Sequence, residues 1–536
     1  MSINHLRRKL RHYITPDDLP QNLLFDDLEA HWIYTGLTPS ARRILSEGWQ
    51  GVFRRTVLKC LPAPQLAQQF SEAFGRPTKE IYSMIGLLVI MEFKQWTAVE
   101  AAEAFSFDAG VQFALNLPRD RQYVSTRTVE SYKRLLREGD DHCADIFGTV
   151  TSALVQEFQI DITRQRLDST HVFSYMARFT RGNLMAVAVK RFLTQVLRHD
   201  PSAHAALPEA LRLRYAPAEG RIFGYGKTRA DSQELARRNQ QTAEDLHFLI
   251  EHFAGSEQLN GRSTWSALVR VFQDHCELKP AKGHQGKPVV VVKAKASDSA
   301  GQSSHVLQNP SDPEAGYDGH KGAGYQLQLA QSYGEKNEVN LVTACLPQSA
   351  AESDSAALIP IIENQIDYDL QPKTLLADTA YGADENVEAC REGGIELISP
   401  VAGKAPAKKA AAPAEPSAEE PAESSDRAPG EAPPSPEVPN GCASPDKASS
   451  RAERLEQRRA QQQTEAWKKQ YAKRSGQEGV NRALDRVTGI KQLLVRGKRA
   501  VTMALYLKTV GWNVLKAGAT YAQRGIAARK REFQPA

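Results

Sequence analysis

The stretch RQRLDSTHVFS (164–174) sets Arg166, Asp168 and Thr170 against Leu167, Ser169 and His171, the two-residue alternation of a β-strand. Strand signals recur in KPVVVVKAKAS (287–297), GYQLQLAQSY (324–333), NEVNLVTACLP (337–347), KTLLADTAYG (373–382) and IELISPV (395–401). Helical stretches intervene, SDSAALIPIIENQI (353–366) and ENVEACREGG (385–394) among them. Strands alternating with helices imply an α/β chain with a mixed sheet covered on both faces.

Around this core the chain reads as helical. IYSMIGLLVIMEF (81–93) has the apolar density of a buried helix. Thr97 opens a second helix, and Ser125 or Thr126 caps a third, TRTVESYKRLLREG, which Gly139 ends. With Arg127, Lys133, Arg134 and Arg137 on the last, these helices suit either a helix-turn-helix-type DNA reader or a plain bundle. Residues 178–275 return to helix. The expected layout is a helical N-terminal, DNA-binding unit at 1–150, a core at 160–401 with a helical insertion, and a basic helical part at 451–536. Residues 402–450 are Pro-, Ala- and Glu-rich with almost no large apolar side chain, the composition of a disordered insert.

Composition narrows the class. Of 536 residues, 41% are hydrophobic and 24% charged, which excludes global disorder. No run approaches the roughly 18 apolar residues of a membrane helix, and the N-terminal stretch lacks the apolar region of a secretory signal. The six cysteines (60, 143, 276, 345, 390 and 442) never form C-x-x-C, which argues against a disulfide scaffold or zinc ribbon and suits a reducing cytoplasm. Net charge is only +5, yet residues 451–536 hold 20 Lys or Arg against 6 Asp or Glu. That asymmetry suits either a polyanionic partner, DNA or RNA, or a solvated helical face.

Two carboxylates stand at or near the ends of apolar strands, Asp168 in RLDST and Asp378 in LLADTAYG. Such hard oxygen donors suit Mg²⁺ or Mn²⁺. Two such ions about 4 Å apart serve phosphodiester cleavage, and a site of this kind needs a third carboxylate. Glu478 is the candidate. It follows Arg474 by four residues and Tyr471 by seven, and Arg482 continues the stripe, which places them on one helix face. Each group also has a plain structural reading, as a turn, a cap or a charge-paired exposed helix. Asp161, Asp354 and Asp384 sit in weaker contexts.

Taken together, Asp168, Asp378 with its TAYG, and the Y-x₂-R-x₃-E element ending at Glu478 resemble the DDE transposases of bacterial insertion sequences. The stretch 80–138, NPSDPEAGYDGHKGAGYQLQL and LLVRGKRAVTMALYLKTVGWNVLKA extend the resemblance over roughly residues 75–400 and 455–520. The resemblance implies a ribonuclease H-like fold in which Asp168, Asp378 and Glu478 act in catalysis and hold two Mg²⁺ or Mn²⁺ ions. Tyr471 and Arg474 would contact DNA near the element's end. Where many relatives carry Lys seven residues after the Glu, this chain has Asp485, and Arg482 or Arg486 would substitute. The function implied is cut-and-paste transposition. The partners are double-stranded DNA, as terminal inverted repeats and target, and further copies of the chain, in the cytoplasm with the nucleoid. The alternatives are a decayed or co-opted transposase that binds DNA without cutting it, and a structure-specific nuclease. His171 is read as structural or DNA-facing, the His320–Lys321 pair as turn chemistry, His275–Cys276 as no zinc site, and Trp467 and Tyr506 as core or helix-packing residues.

Overall fold

The computed structural model describes residues 28–29, 31–62, 81–119, 122–139, 141–216, 232–280, 288–293, 305–402 and 445–532. Residues 403–444, nearly all of the stretch read as a disordered insert, lie outside the described residues.

The N-terminal part is helical, as its patterning requires. Helix α1 (Ile81–Lys94) is apolar all round, and every residue from Ile81 to Phe93 is buried. Helix α2 (Ala98–Phe107) opens on a capping box. Thr97 Oγ1 accepts from the Glu100 amide at 3.2 Å, and the Glu100 carboxylate accepts from the Thr97 amide at 2.7 Å. Helix α3 (Thr126–Glu138) is capped by Ser125 and ends at Gly139, and α4 (His142–Glu157) follows.

Strand β1 (Arg164–Val172) then enters the middle of a mixed sheet. After it come helices α5 (Arg181–His199), α6 (Ser232–Phe253) and α7 (Ser263–His275), and a hairpin of β2 (Cys276–Pro280) and β3 (Pro288–Val292). These form a separate core around Phe192, Leu246, Leu268 and Val290. Of the strand read at 287–297, the described residues Pro288–Val292 form a strand, but it pairs with β2 and does not join the main sheet. Its partner β2 continues without a break from α7, so only tertiary pairing distinguishes it from helix.

The main sheet is completed by β4 (Gly316–Asp318), β5 (Gly322–Ser332), β6 (Val342–Ser349), β7 (Thr374–Leu376) and β8 (Glu396–Ile398), with helices α8 (Asp354–Asp367) and α9 (Asp384–Glu392) between. The order runs β6–β5–β1–β7–β8, and β4 lies on the end of β5. β1 is antiparallel to β5 and parallel to β7, β5 is antiparallel to β6, and β7 is parallel to β8. One face packs Leu167, Ala330, Ala344 and Leu375 on Leu358 and Ile361 of α8 and Cys390 of α9.

The other face is closed by the C-terminal helices α12 (Gly476–Thr488) and α13 (Lys498–Glu532); they follow α10 (Pro445–Gln462), whose Arg454 pairs with Asp384 of α9, and α11 (Glu465–Tyr471). Leu484 of α12 and Val501, Leu505 and Val510 of α13 share one core with α1, α3, α4 and Leu327 and Leu329 of β5. Asn513 of α13 satisfies edge strand β6. Its Oδ1 accepts from the Val342 amide at 2.9 Å and its Nδ2 donates to the Val342 carbonyl at 2.8 Å. The N-terminal helices and the C-terminal helices thus fold onto the same side of the sheet.

Candidate active site

The strand register brings the first two acids together. Arg166 is paired with Leu376 across the parallel β1–β7 ladder, so two residues further on Asp168 stands beside Asp378. Parallel neighbours lie about 4.8 Å apart along the hydrogen-bonding direction. Asp378 sits just past β7, where the chain leaves the strand for a short 3-10 turn, Thr379–Tyr381. One carboxylate oxygen accepts from the Ala380 amide at 2.9 Å, and Ser399 Oγ donates to the Asp378 carbonyl. The loop at the strand end is pinned from both sides.

The third acid, Glu478, lies exposed in the first turn of α12. It is close enough to Asp168 to affect its ionisation. Burial pushes the Asp168 carboxyl up to about 6, Arg474 opposes the rise, and Asp378 and Glu478 reinforce it. Three carboxylates therefore converge on one side of β1, with the Arg474 guanidinium 3.6 Å from Asp168. The i, i+4 spacing suggested a partnership between Arg474 and Glu478. Among the described residues no ion pair joins them, because Ala472–Ser475 form a 3-10 turn that ends the regular helix before Gly476. Arg474 turns to the strand instead.

Tyr471, at the end of α11, stacks on Trp467 with centroids 4.7 Å apart and has the Arg474 guanidinium 5.9 Å from its ring centre. Burial raises its phenol, and Asp378 and Asp168 raise it further, which places it beside the acids. Arg482 and Arg486 are exposed, one and two turns beyond Glu478 on α12. Asp485, where the family pattern has Lys, is structural: Oδ1 accepts from the Lys491 amide at 3.0 Å, past the helix end. Gly489 makes that end possible. Its φ of +62° is left-handed, and its amide returns to the Asp485 carbonyl at 2.7 Å.

Asn481 was not singled out in the sequence. It lies one turn after Glu478, is buried, and donates from Nδ2 to Asp168 at 3.4 Å, while its Oδ1 accepts from Gln477 at 3.3 Å. The signal was its i+3 spacing from Glu478. Tyr381 of the TAYG segment is fully buried, donates to Gln328 Oε1, and has its phenol raised by burial and by Asp354, Asp378 and Asp168. Gln328 donates to Asp354 at 2.6 Å and Ser169 Oγ to Asp354 at 3.2 Å. Asp354 therefore belongs to the opposite face of β1. Asp161 closes a turn onto Thr163, and Asp384 is buried against Arg454 and Arg458.

His171, His320, Lys321 and Tyr506 have structural partners. His171 is buried with its ring 4.5 Å from that of Phe173. His320 and Lys321 give their amides to Asp318 in a turn. Tyr506 is buried in the helical core.

The donor set has the chemistry of a hard divalent-ion site: three carboxylates, one neutral amide and no sulfur or imidazole. Among the described residues, however, no three His, Cys, Asp or Glu side chains are drawn into one coordination shell. The carboxylates fit such an ion in kind, with Asp168 held by Arg474 and Asn481.

The raised Asp168 pKa has a consequence for stability. The carboxyl holds its proton to about 6 in the folded chain, against 3.8 ordinarily. Stability from this group is complete below pH 4 and is lost as pH rises through 6. In metal-free buffer, Asp168→Asn is therefore expected to match wild type near pH 4 and to exceed it by about 1–3 kcal/mol above pH 6. Thermal midpoints at the two pH values check this. An equal difference at both would show that Asp168 is not destabilised when ionised.

Residues 446–517 match the family model described as a transposase DDE domain. The match holds Tyr471, Arg474 and Glu478 and supports a DDE-type transposase. No curated protein and no solved structure matches the chain.

Proposed function

We propose that the chain is a cut-and-paste transposase of ribonuclease H-like fold. It binds the terminal inverted repeats of its own element, hydrolyses a phosphodiester to free a 3′-hydroxyl, and directs that hydroxyl into target DNA. The observation that carries this reading is the register that sets Asp168 beside Asp378 under the helix bearing Glu478. Strand order β6–β5–β1–β7–β8, with β5 alone antiparallel to the other four, supports the fold.

Asp168, Asp378 and Glu478 would hold two Mg²⁺ or Mn²⁺ ions, which when bound supply Lewis acidity to the scissile phosphate. The protein supplies position. Arg474 is shared between Asp168 and any incoming phosphate, since a guanidinium forks onto either oxyanion. Tyr471, with Trp467 behind it, offers a flat face at the same edge, and Arg482 and Arg486 extend the positive track along α12. Helix α3, whose Arg127 and Arg134 are exposed, supplies the remaining DNA contact in this reading. Two ends must be joined, so the working form is a dimer or larger on DNA.

The test is cleavage of DNA carrying the gene's own flanks, with Mg²⁺ or Mn²⁺ added. Cutting at a repeat boundary supports transposition. Cutting of branched DNA irrespective of end sequence assigns a structure-specific nuclease, and binding without cutting assigns a co-opted DNA-binding protein.

A further inference from the structure

Arg166 lies two residues before Asp168 on the same face of β1, and its guanidinium spans three elements. Nη2 donates to Gln331 Oε1 of β5 at 2.7 Å, and Nη1 donates to the Lys473 carbonyl, in the turn before α12, at 3.3 Å. The same group lies against Gly476, the first residue of α12. A Cβ at Gly476 would stand 1.8 Å from Nη1 and 2.7 Å from Cζ. A free arginine tip would swing aside, but this one is tethered at both nitrogens and partly buried. Among the described residues no carboxylate forms an ion pair with Arg166, so the buried charge earns no Coulombic return there. Its contacts are those of a spacer between the strand of Asp168 and the helix of Glu478.

We propose that Arg166 is a positioning residue that sets the separation between Asp168 and Glu478, with a side-chain-free Gly476 as its required counterpart. The proposal rests on the divalent-ion reading of the three carboxylates. Glu478 is two residues from Gly476, and Asn481, which bonds Asp168, is five. A displacement at the glycine is therefore passed to both within one and a half turns of rigid helix. Arginine is needed because Nη1 and Nη2 stand at separate positions, one facing the Lys473 carbonyl and one facing Gln331, which the single nitrogen of a lysine cannot both occupy.

The experiment is a double-mutant cycle on the full chain with Gly476→Ala, Arg166→Ala and both together. It reads Mn²⁺ affinity by electron paramagnetic resonance and, separately, cleavage of flank DNA. Each single change is expected to weaken Mn²⁺ binding by roughly 10–100-fold, as loss of an orienting partner does. DNA affinity stays within a few-fold. The double variant is expected to bind Mn²⁺ better than the product of the single effects, because the added methyl enters space the guanidinium has left. Arg166→Lys, which keeps the charge and loses the fork, is expected to match Arg166→Ala, and it serves should Gly476→Ala not fold. Multiplicative effects of the two changes, or wild-type Mn²⁺ affinity in Arg166→Lys, would overturn the proposal. Failure of the wild type itself to bind Mn²⁺ or cut DNA would instead remove the reading on which the proposal stands.

Discussion

Glu478→Gln is expected to lower metal-dependent cleavage of flank DNA by roughly 10³-fold, on the scale of removing one preorganised charge-stabilising group, and to leave DNA affinity within a few-fold. The glutamine is isosteric, and Glu478 is exposed on the first turn of α12, so the fold loses no packing. The DNA-facing groups proposed nearby, Tyr471, Arg474, Arg482 and Arg486, are untouched. What disappears is one negative charge from a cluster of three and one anionic oxygen donor. Asp168→Asn and Asp378→Asn are expected to do the same, from the strand side. Cleavage and filter-binding titrations on one preparation separate the two effects. Wild-type cleavage in Glu478→Gln would show that the acid on α12 is a helix-surface charge and nothing more.

Lys508→Met is expected to destabilise the helical core by about 1–3 kcal/mol, the cost of removing a buried donor from the groups it bonds. Lys508 lies in α13 and is buried. Its ammonium donates to the Glu92 carbonyl of α1 at 2.8 Å and to the Thr488 carbonyl of α12 at 2.7 Å, and the Glu92 carboxylate is 4.0 Å away. Burial lowers its pKa, and Glu92 works against that fall. One side chain thus ties the ends of two helices, one from each terminus of the chain, and the second helix carries Glu478. Methionine matches the length and takes this donor from the Thr488 carbonyl, while the Glu92 carbonyl keeps the Gln95 amide at 3.3 Å and the Glu92 carboxylate keeps the Lys133 ammonium at 3.9 Å. A denaturant titration followed by helix signal measures the loss. The variant Glu92→Gln/Lys508→Met is expected to recover part of it, since the buried Glu92 charge, left with Lys133 alone, is then gone. A loss below about 1 kcal/mol in Lys508→Met would show that water satisfies the site.

The sequence carried the strand of Asp168 because a period of two survives in RQRLDST whatever packs on it. It offered Asp378 as a candidate because an apolar run ends there in an Asp, a pattern that suits a plain turn or cap equally well until Asp168 and Glu478 are considered with it. The mixed sheet and the apolar helices α1 and α13 were legible for the same reason. What was not legible depends on groups distant in the chain. Arg166 and Gly476 are 310 residues apart and neither is unusual alone. Lys508 reads as a lone cation in an apolar helix until α1 and α12 close over it. Asn481 shows its purpose only when the strand of Asp168 is beneath it. The break at Ala472–Ser475 reoriented Arg474 and had a local signal, the Ser475-Gly476 pair, which helical spacing obscured. Strand β2 is five residues long and follows α7 directly, so no turn chemistry marked it.

The central claim is that Asp168, Asp378 and Glu478 form one divalent-ion site. Its most direct test is a Mn²⁺ titration of the full-length chain, followed by electron paramagnetic resonance, with wild type beside Asp168→Asn, Asp378→Asn and Glu478→Gln. Saturable binding in the wild type that weakens in all three variants is the expected result. Equal binding in all four proteins, or none in the wild type with flank DNA present, would contradict it.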